Sequence, residues 1–300
     1  MQYLDRFTLP SRLDEDEFIL KYPPQLEMQC YGHNNVYPFK LFPQKQLSRI
    51  DFTPLTIFAG SNGSGKSTLL NLIAEKLKLR RSSPWNSTPF VEPYLVRCRA
   101  HLTDERSPLP DHSRIITSDD VFDYMLDLRA INAGIADRRE SLFAEYDRFS
   151  APGSTERSSF QLSSLDDYDE LKARNAARHS TKSAYTARRM RHTELKSGSN
   201  GENAYFYFAQ QITQNALYLL DEPENSLAPA RQLELAQFIV DSVRFYGCQF
   251  VISTHSPFLL AMQGAKIYNL DACPVETCRW TDLDHVRAYH DFFAAHDGEF

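Results

Sequence analysis

The sequence predicts an α/β fold, and three observations predict it. First, the apolar run Leu55-Thr56-Ile57-Phe58-Ala59 passes into the glycine-rich stretch Gly60 to Ser67 and then into a helical pattern. Second, the apolar run Ala216 to Leu220 ends in the paired carboxylates Asp221 and Glu222. Third, the strand-like run Gln249 to Ser253 leads into Thr254-His255-Ser256-Pro257, with a helical pattern between it and the acid pair. Strand, helix and strand in succession imply a parallel crossover, which brings Asp221, Glu222 and His255 out at one edge of the sheet.

The stretch Gly60-Ser61-Asn62-Gly63-Ser64-Gly65-Lys66-Ser67 fits the phosphate-binding pattern G-x-x-x-x-G-K-[ST]. Gly63 and Gly65 let the backbone curl so that its N–H groups point inward at α and β phosphates. Lys66 is placed to reach the β and γ phosphates, and the Ser67 hydroxyl to complete a Mg2+ shell. Thr68, at the start of the helix, joins the nucleotide-binding candidates. Leu70, Ile73 and Leu77 recur at helical spacing, so the positive end of the helix dipole faces the phosphates.

Downstream, an apolar strand ending in two acids is expected of a buried parallel strand that delivers carboxylates at its C-terminal end. Asp221 is placed to hold Mg2+, and Glu222 to orient and polarise the attacking water. His255 falls just past a strand end on the same edge, at a γ-phosphate position. The intervening helix is predicted over Pro229 to Tyr246, with Pro near its start, Leu233, Ala236, Val240 and Val243 on one face, and Gly247 as its stop.

These residues resemble the ATP-binding cassette (ABC) superfamily, in particular its soluble chromosome-maintenance and recombination-repair branch. Gly60 to Ser67 is similar to Walker A, Leu217 to Glu222 to Walker B with its catalytic glutamate, Glu224 to Leu227 to the D-loop, and His255 to the switch histidine. Ser199-Asn200-Gly201-Glu202 is similar to the family signature, with Gly198 where the family has a leading Leu. Ile116 to Phe122 and Asp221 to Leu227 also resemble compact bacterial predicted AAA-family ATPases. The resemblance implies a P-loop NTPase of ABC type: a mixed sheet core, helices on both faces and an inserted helical lobe at about 121–196 within one 1–300 domain. It implies ATP and Mg2+ as ligands, and a homodimer closing head-to-tail over two ATP molecules, the signature of one subunit meeting the γ-phosphate of the other. Such ATPases have a glutamine loop beside the Mg2+. Here Gln161 lies deep in the insertion, and Asp119 or Asp120 is either a substitute Mg2+ neighbour or a cap for a helix starting near Val121.

Composition bounds the rest. The 300 residues are 42% hydrophobic and 24% charged with a net charge of −6, which excludes a protein that coats nucleic acid with its whole surface. No apolar run reaches the ~18 residues of a membrane span, and Met1 to Pro10 lacks a secretory pattern, so a cytoplasmic protein without membrane insertion is expected. Five scattered cysteines fit reduced thiols. Cys273 and Cys278 with His285 and His290 carry zinc-ligand chemistry at the wrong spacing. From Lys172 to Lys196 there are eight Lys or Arg (Lys172, Arg174, Arg178, Lys182, Arg188, Arg189, Arg191, Lys196) against one acid, Glu194, a candidate DNA or RNA contact that also fits a solvated helical face. Tyr185 among these charges is a candidate to stack on a base. Among Tyr31, Tyr37, Phe39 and Phe42 one is a candidate to stack on adenine, although strand-core packing is the simpler account of any given one. The expected function is ATP hydrolysis coupled to nucleic acid or to a partner enzyme such as an effector or nuclease subunit, in DNA repair or phage defence. The ATPase subunit of a membrane transporter and a nucleotide-gated binding module with slow turnover are the alternatives.

Overall fold

The computed structural model describes residues 1–21, 36–104, 106–150, 181, 182, 184, 186 and 200–299. The chain divides into two compact units, Met1–Asp123 with Ser199–Phe300, and Tyr124–Gly198. In chain order the elements are β1 (Leu4–Thr8), α1 (Arg12–Lys21), β2 (Arg49–Asp51), β3 (Leu55–Ala59), α2 (Lys66–Lys76), α3 (Val91–Arg97), β4 (Arg99–Leu102), β5 (Arg114–Thr117), α4 (Ser118–Ser150), α5 (Asn200–Gln211), β6 (Leu217–Asp221), α6 (Pro229–Phe245), β7 (Gln249–Ser253), α7 (Pro257–Leu260), β8 (Lys266–Asn269), β9 (Glu276–Cys278) and α8 (Asp284–Ala295).

Six strands form the main sheet in the order β5-β6-β7-β3-β8-β9. The first five are parallel and β9 runs antiparallel to β8, so the sheet is mixed as expected. Every residue of the central strands β3 and β7 is buried, the mark of a sheet covered on both faces. The chain passes from β3 through α2 toward β5 in one direction and from β6 through α6 to β7 in the other. Right-handed crossovers taken in opposite directions put α2 and α6 on opposite faces. A second, antiparallel sheet of order β2-β1-β4 stands beside it, and Phe7, Ile50, Phe58, Leu69, Ile73, Tyr94, Leu217 and Val251 join both sheets and α2 in one core.

Local signals set the boundaries. The helix α6 begins with Pro229 in its first turn and ends before Gly247, whose φ of 64° is the left-handed conformation that stops a helix. Its buried face is Leu235, Ala236, Ile239 and Ser242, whereas Leu233 is 54% exposed. The expected stripe is thus only partly in phase: Ala236 is buried, Val240 and Val243 are half-buried, and Leu233 is replaced on the buried face by Leu235 and Ile239. Among the N-terminal aromatics, Phe39 and Phe42 are core residues, and Tyr31 lies outside the described residues. The helix α4 starts at Ser118, three residues before the expected Val121, because Asp120 reaches back to the Thr117 N–H at 2.7 Å while its own N–H donates to the Thr117 hydroxyl at 3.4 Å.

Candidate nucleotide-binding site

The register of the parallel strands assembles the site. Asp221 of β6 lies opposite Ser253 of β7, and Ser253 lies opposite Phe58 of β3, so three strands end at one edge. The phosphate loop leaves β3 at Gly60, and His255 follows β7 by two residues. Gly63 and Gly65 adopt φ of 80° and 98°, the left-handed conformations that glycine tolerates without strain. Gly65 is the N-cap of α2 and offers no side chain, which leaves the first-turn N–H groups directed at whatever lies before the helix. At Gly60 an added Cβ would sit 2.7 Å from the Ser64 hydroxyl, so the loop closes only around a glycine there. Ser64 is buried and its hydroxyl has no protein partner. Asn62 is exposed at the loop's tip.

Lys66 is 4% exposed, and its ammonium group donates to the carbonyls of Gly60 at 2.9 Å and Ser61 at 3.2 Å. It also lies 2.7 Å from His255 Nε2 and 4.0 Å from Glu222 Oε1. Burial pulls the lysine downward from its usual pKa, with Glu222 and Asp221 opposing. His255 is held below the usual histidine value by burial and then by the Lys66 charge. A neutral imidazole that accepts from an ammonium at Nε2 carries its proton on Nδ1.

Ser67 Oγ donates to Asp221 Oδ1 at 3.0 Å, and the Ser253 hydroxyl donates to the same oxygen. Burial pushes the Asp221 carboxyl up, opposed by these two hydroxyls. A hydroxyl and a buried carboxylate in contact make a hard-oxygen donor pair that suits Mg2+, whose charge would offset that burial. Glu222 has a φ of 47°, uncommon for a residue with a side chain, and its N–H donates to the Ser253 carbonyl at 3.0 Å. This backbone turn sets Glu222 Oε1 at 3.6 Å from His255 Nε2, while Oε2 accepts from Asn225 Nδ2 at 3.0 Å.

Four residues of the site were given no role in it by the sequence. Glu224 Oε1 accepts from the backbone N–H of His255 at 2.6 Å and of Ser256 at 3.2 Å, fixing the turn that carries the histidine. Asp271 follows β8 and binds the loop, accepting from Ser61 N at 2.6 Å and Ser61 Oγ at 2.7 Å. Ser253 buttresses Asp221, and His285 packs its ring edge against His255 with centroids 6.1 Å apart. The usable signal for Ser253 and Asp271 was position alone: each stands at or just beyond the C-terminal end of a parallel strand.

Other expected residues lie elsewhere. Thr68 accepts from the Tyr37 hydroxyl at 2.7 Å, so its side chain braces the loop from the N-terminal segment. Asp120 gives both carboxylate oxygens to backbone N–H groups, one of Thr117 and one of Ser83 at 2.7 Å, which is the capping arrangement rather than that of a Mg2+ neighbour. Ser199 and Gln161 fall outside the described residues. Asn200, Gly201 and Glu202 open α5, where a Cβ on Gly201 would lie 3.7 Å from the Ser226 carbonyl and Glu202 pairs with Arg231 at 3.2 Å. These contacts run to the start of α6. Of the basic residues from Lys172 to Lys196 only Lys182 is described, and it pairs with Asp147 at 2.6 Å. No described group of three or more His, Cys, Asp or Glu is arranged to hold a metal ion, and no described helix is long and apolar enough to cross a membrane.

The chain is similar to known proteins over this region. Residues 193–261 match the family described as "AAA domain, putative AbiEii toxin, Type IV TA system". Among solved structures, the Smc head domain with an extended coiled coil from Pyrococcus furiosus, bound to the C-terminal domain of ScpA, is 14% identical, with 97% of this chain and 100% of that chain covered and a TM-score of 0.44. The SMC head domain from Thermotoga maritima is 13% identical over 90% and 94%, with a TM-score of 0.35. A structure titled "An inward-facing conformation of a putative metal-chelate type ABC transporter" is 16% identical over 79% and 78%, with a TM-score of 0.36. No curated protein is significantly similar in sequence. The ABC transporter family model matches residues 50–225, more than half of the chain and from the phosphate loop through Glu222, so the chain belongs to this family of P-loop ATPases.

Proposed function

We propose that the protein binds ATP with Mg2+ at this site, hydrolyses it, and closes head-to-tail with a second copy around two nucleotides to act on nucleic acid or on a partner enzyme, as in the soluble branch of the family. One observation carries this reading: at the sheet edge where the phosphate loop begins, Lys66 lies 2.7 Å from His255 and 4.0 Å from Glu222, and the adjoining Ser67 donates to Asp221 at 3.0 Å.

Lys66 exchanges the carbonyls of Gly60 and Ser61 for phosphate oxygens. Ser67 and Asp221 would hold Mg2+, which supplies charge neutralisation for the leaving diphosphate. Glu222, fixed by Asn225, orients the attacking water and takes its proton, and His255 touches the terminal phosphate. Gly201 and Glu202 lie against Ser226 and Arg231 at the start of α6, and by the family resemblance Ser199 to Glu202 would face the nucleotide of a second copy. The toxin–antitoxin description of the family matched at 193–261 supports a partner enzyme as the object of the cycle.

The test is size-exclusion chromatography with light scattering on Glu222→Gln, with and without Mg-ATP, then with single-stranded and duplex DNA. A dimer formed only with ATP is expected, and DNA co-elution would assign nucleic acid as the object. A monomer throughout overturns the head-to-tail homodimer. ATP binding that survives Lys66→Ala overturns the phosphate-loop assignment.

A further inference from the structure

The C-terminal stretch brings a second histidine to the site. His285 stands in the first turn of α8, far in sequence from the phosphate loop and from the ends of β6 and β7. Its ring meets that of His255 edge to face, with centroids 6.1 Å apart and planes at 72°. Its Nε2 atom is fully buried and has no hydrogen-bond partner. A buried imidazole nitrogen without a partner costs stability, and such groups in folded proteins ordinarily meet one. The charged groups whose fields reach it are Asp271, bound to Ser61 of the phosphate loop, Lys66, and Asp284 on its own helix. Burial, opposed by Asp271 and helped by Lys66, pulls the ring below its usual pKa, toward the neutral form in which one nitrogen donates and the other accepts.

We infer that His285 is a second histidine of the phosphate pocket, whose Nε2–H donates to the terminal phosphate of a bound triphosphate alongside His255. This rests on the nucleotide reading above and extends it to a residue outside the motifs. Phosphate oxygens only accept, so the nitrogen must be the protonated one, and a neutral donor to an anionic oxygen falls in the stronger class of hydrogen bond. The contact depends on the phosphate that ATP has and ADP lacks. His285 would therefore set the preference for triphosphate over diphosphate, and couple that preference to the seating of α8.

The experiment is calorimetric titration of ADP and of the slowly hydrolysed ATPγS, each with Mg2+, into wild type, His285→Phe, His285→Gln and Lys66→Ala. Thermal unfolding of each variant checks the fold. Loss of one charge-assisted hydrogen bond corresponds to an affinity change of about tenfold or more. His285→Phe, which keeps an aromatic ring against His255, is expected to weaken ATPγS by that factor and leave ADP unchanged. His285→Gln, whose amide nitrogen reaches the same place as Nε2, is expected to recover most of it. Equal affinities in wild type and His285→Phe, or a parallel loss for both nucleotides, would reduce His285 to a packing residue and overturn the inference. Wild-type protein that binds neither nucleotide, or Lys66→Ala that binds as wild type does, would instead overturn the underlying nucleotide site.

Discussion

On the proposed nucleotide reading, Glu224 would separate the holding of His255 from the chemistry at the phosphate. Its Oε1 accepts from the N–H groups of His255 and Ser256, but the Ser256 N–H also donates to Thr254 Oγ1 at 3.0 Å. Glu224→Ala therefore strands one backbone donor, that of His255, at a cost of about 1–3 kcal/mol. The same change removes a carboxylate that burial holds above its ordinary pKa and whose Oε2 has no partner, which offsets part of that cost. The net loss of stability should then be about 1 kcal/mol, while the turn carrying His255 loosens and ATP turnover falls by about tenfold or more. Glu224→Gln keeps an acceptor facing the His255 N–H and carries no charge, so it should fold and turn over near wild type. The sign of the pH effect follows from the raised pKa. The native carboxyl keeps its proton to higher pH than the unfolded one, so wild type loses stability as pH rises out of the acid range, a slope that Glu224→Gln lacks. Steady-state phosphate release and thermal unfolding at two pH values measure all of this. Wild-type turnover in Glu224→Ala, or equal impairment in Glu224→Gln, would refute the positioning argument.

At Gly60, a Cβ would lie 2.7 Å from Ser64 Oγ and 3.3 Å from Asp271 Oδ1, so Gly60→Ala should cost about tenfold or more in ATP affinity by titration while leaving the unfolding midpoint within a few degrees of wild type. Glu15, 1% exposed and accepting from the Lys40 N–H, has its carboxyl pushed up from 4.5 to about 7 by burial. The native state holds that proton where the unfolded state has released it, so stability should fall by up to about 3 kcal/mol between these pH values and stay flat above them. Glu15→Gln should remove that slope in urea unfolding at pH 5 and pH 8, and a slope that persists would assign it to other groups.

The parts of the site legible in the sequence share one property: each lies within a few residues of a strand end that its own composition declares. Apolar β3, β6 and β7 are nearly continuous runs of buried residues, and Lys66, Asp221, Glu222 and His255 follow from them by counting. Glu224 lay in a recognised segment, but its role was hidden because its partners are backbone N–H groups of another loop, which no side-chain pattern encodes. Asp271 and His285 were hidden more deeply. They follow strands too short to declare themselves, four residues in β8 and three in β9, and the neighbour relation of β8 with β3 is a long-range pairing with no local signal. Leu233 was placed on the buried face of α6 for a related reason: periodicity gives the period of a helix, and only its neighbours choose the phase.

On the proposed nucleotide reading, the arrangement of charges at the loop also defines what binding must do. A buried ammonium needs its donors met, and Lys66 meets them with two carbonyls and a neutral imidazole, while Ser67 spends its hydroxyl on Asp221. The atoms a triphosphate would engage are the ones already engaged. Binding is therefore an exchange of partners rather than an addition, and its free energy is the difference between the two sets. Carbonyl and imidazole acceptors are neutral, whereas phosphate oxygens are anionic and form hydrogen bonds roughly twice as strong, so the exchange favours the nucleotide. It also releases His255 from Lys66. With that contact gone, Nε2 no longer has to accept from an ammonium, and the imidazole can take the tautomer that donates from Nε2 toward the phosphate. The same step that seats the nucleotide would thus change what His255 can do.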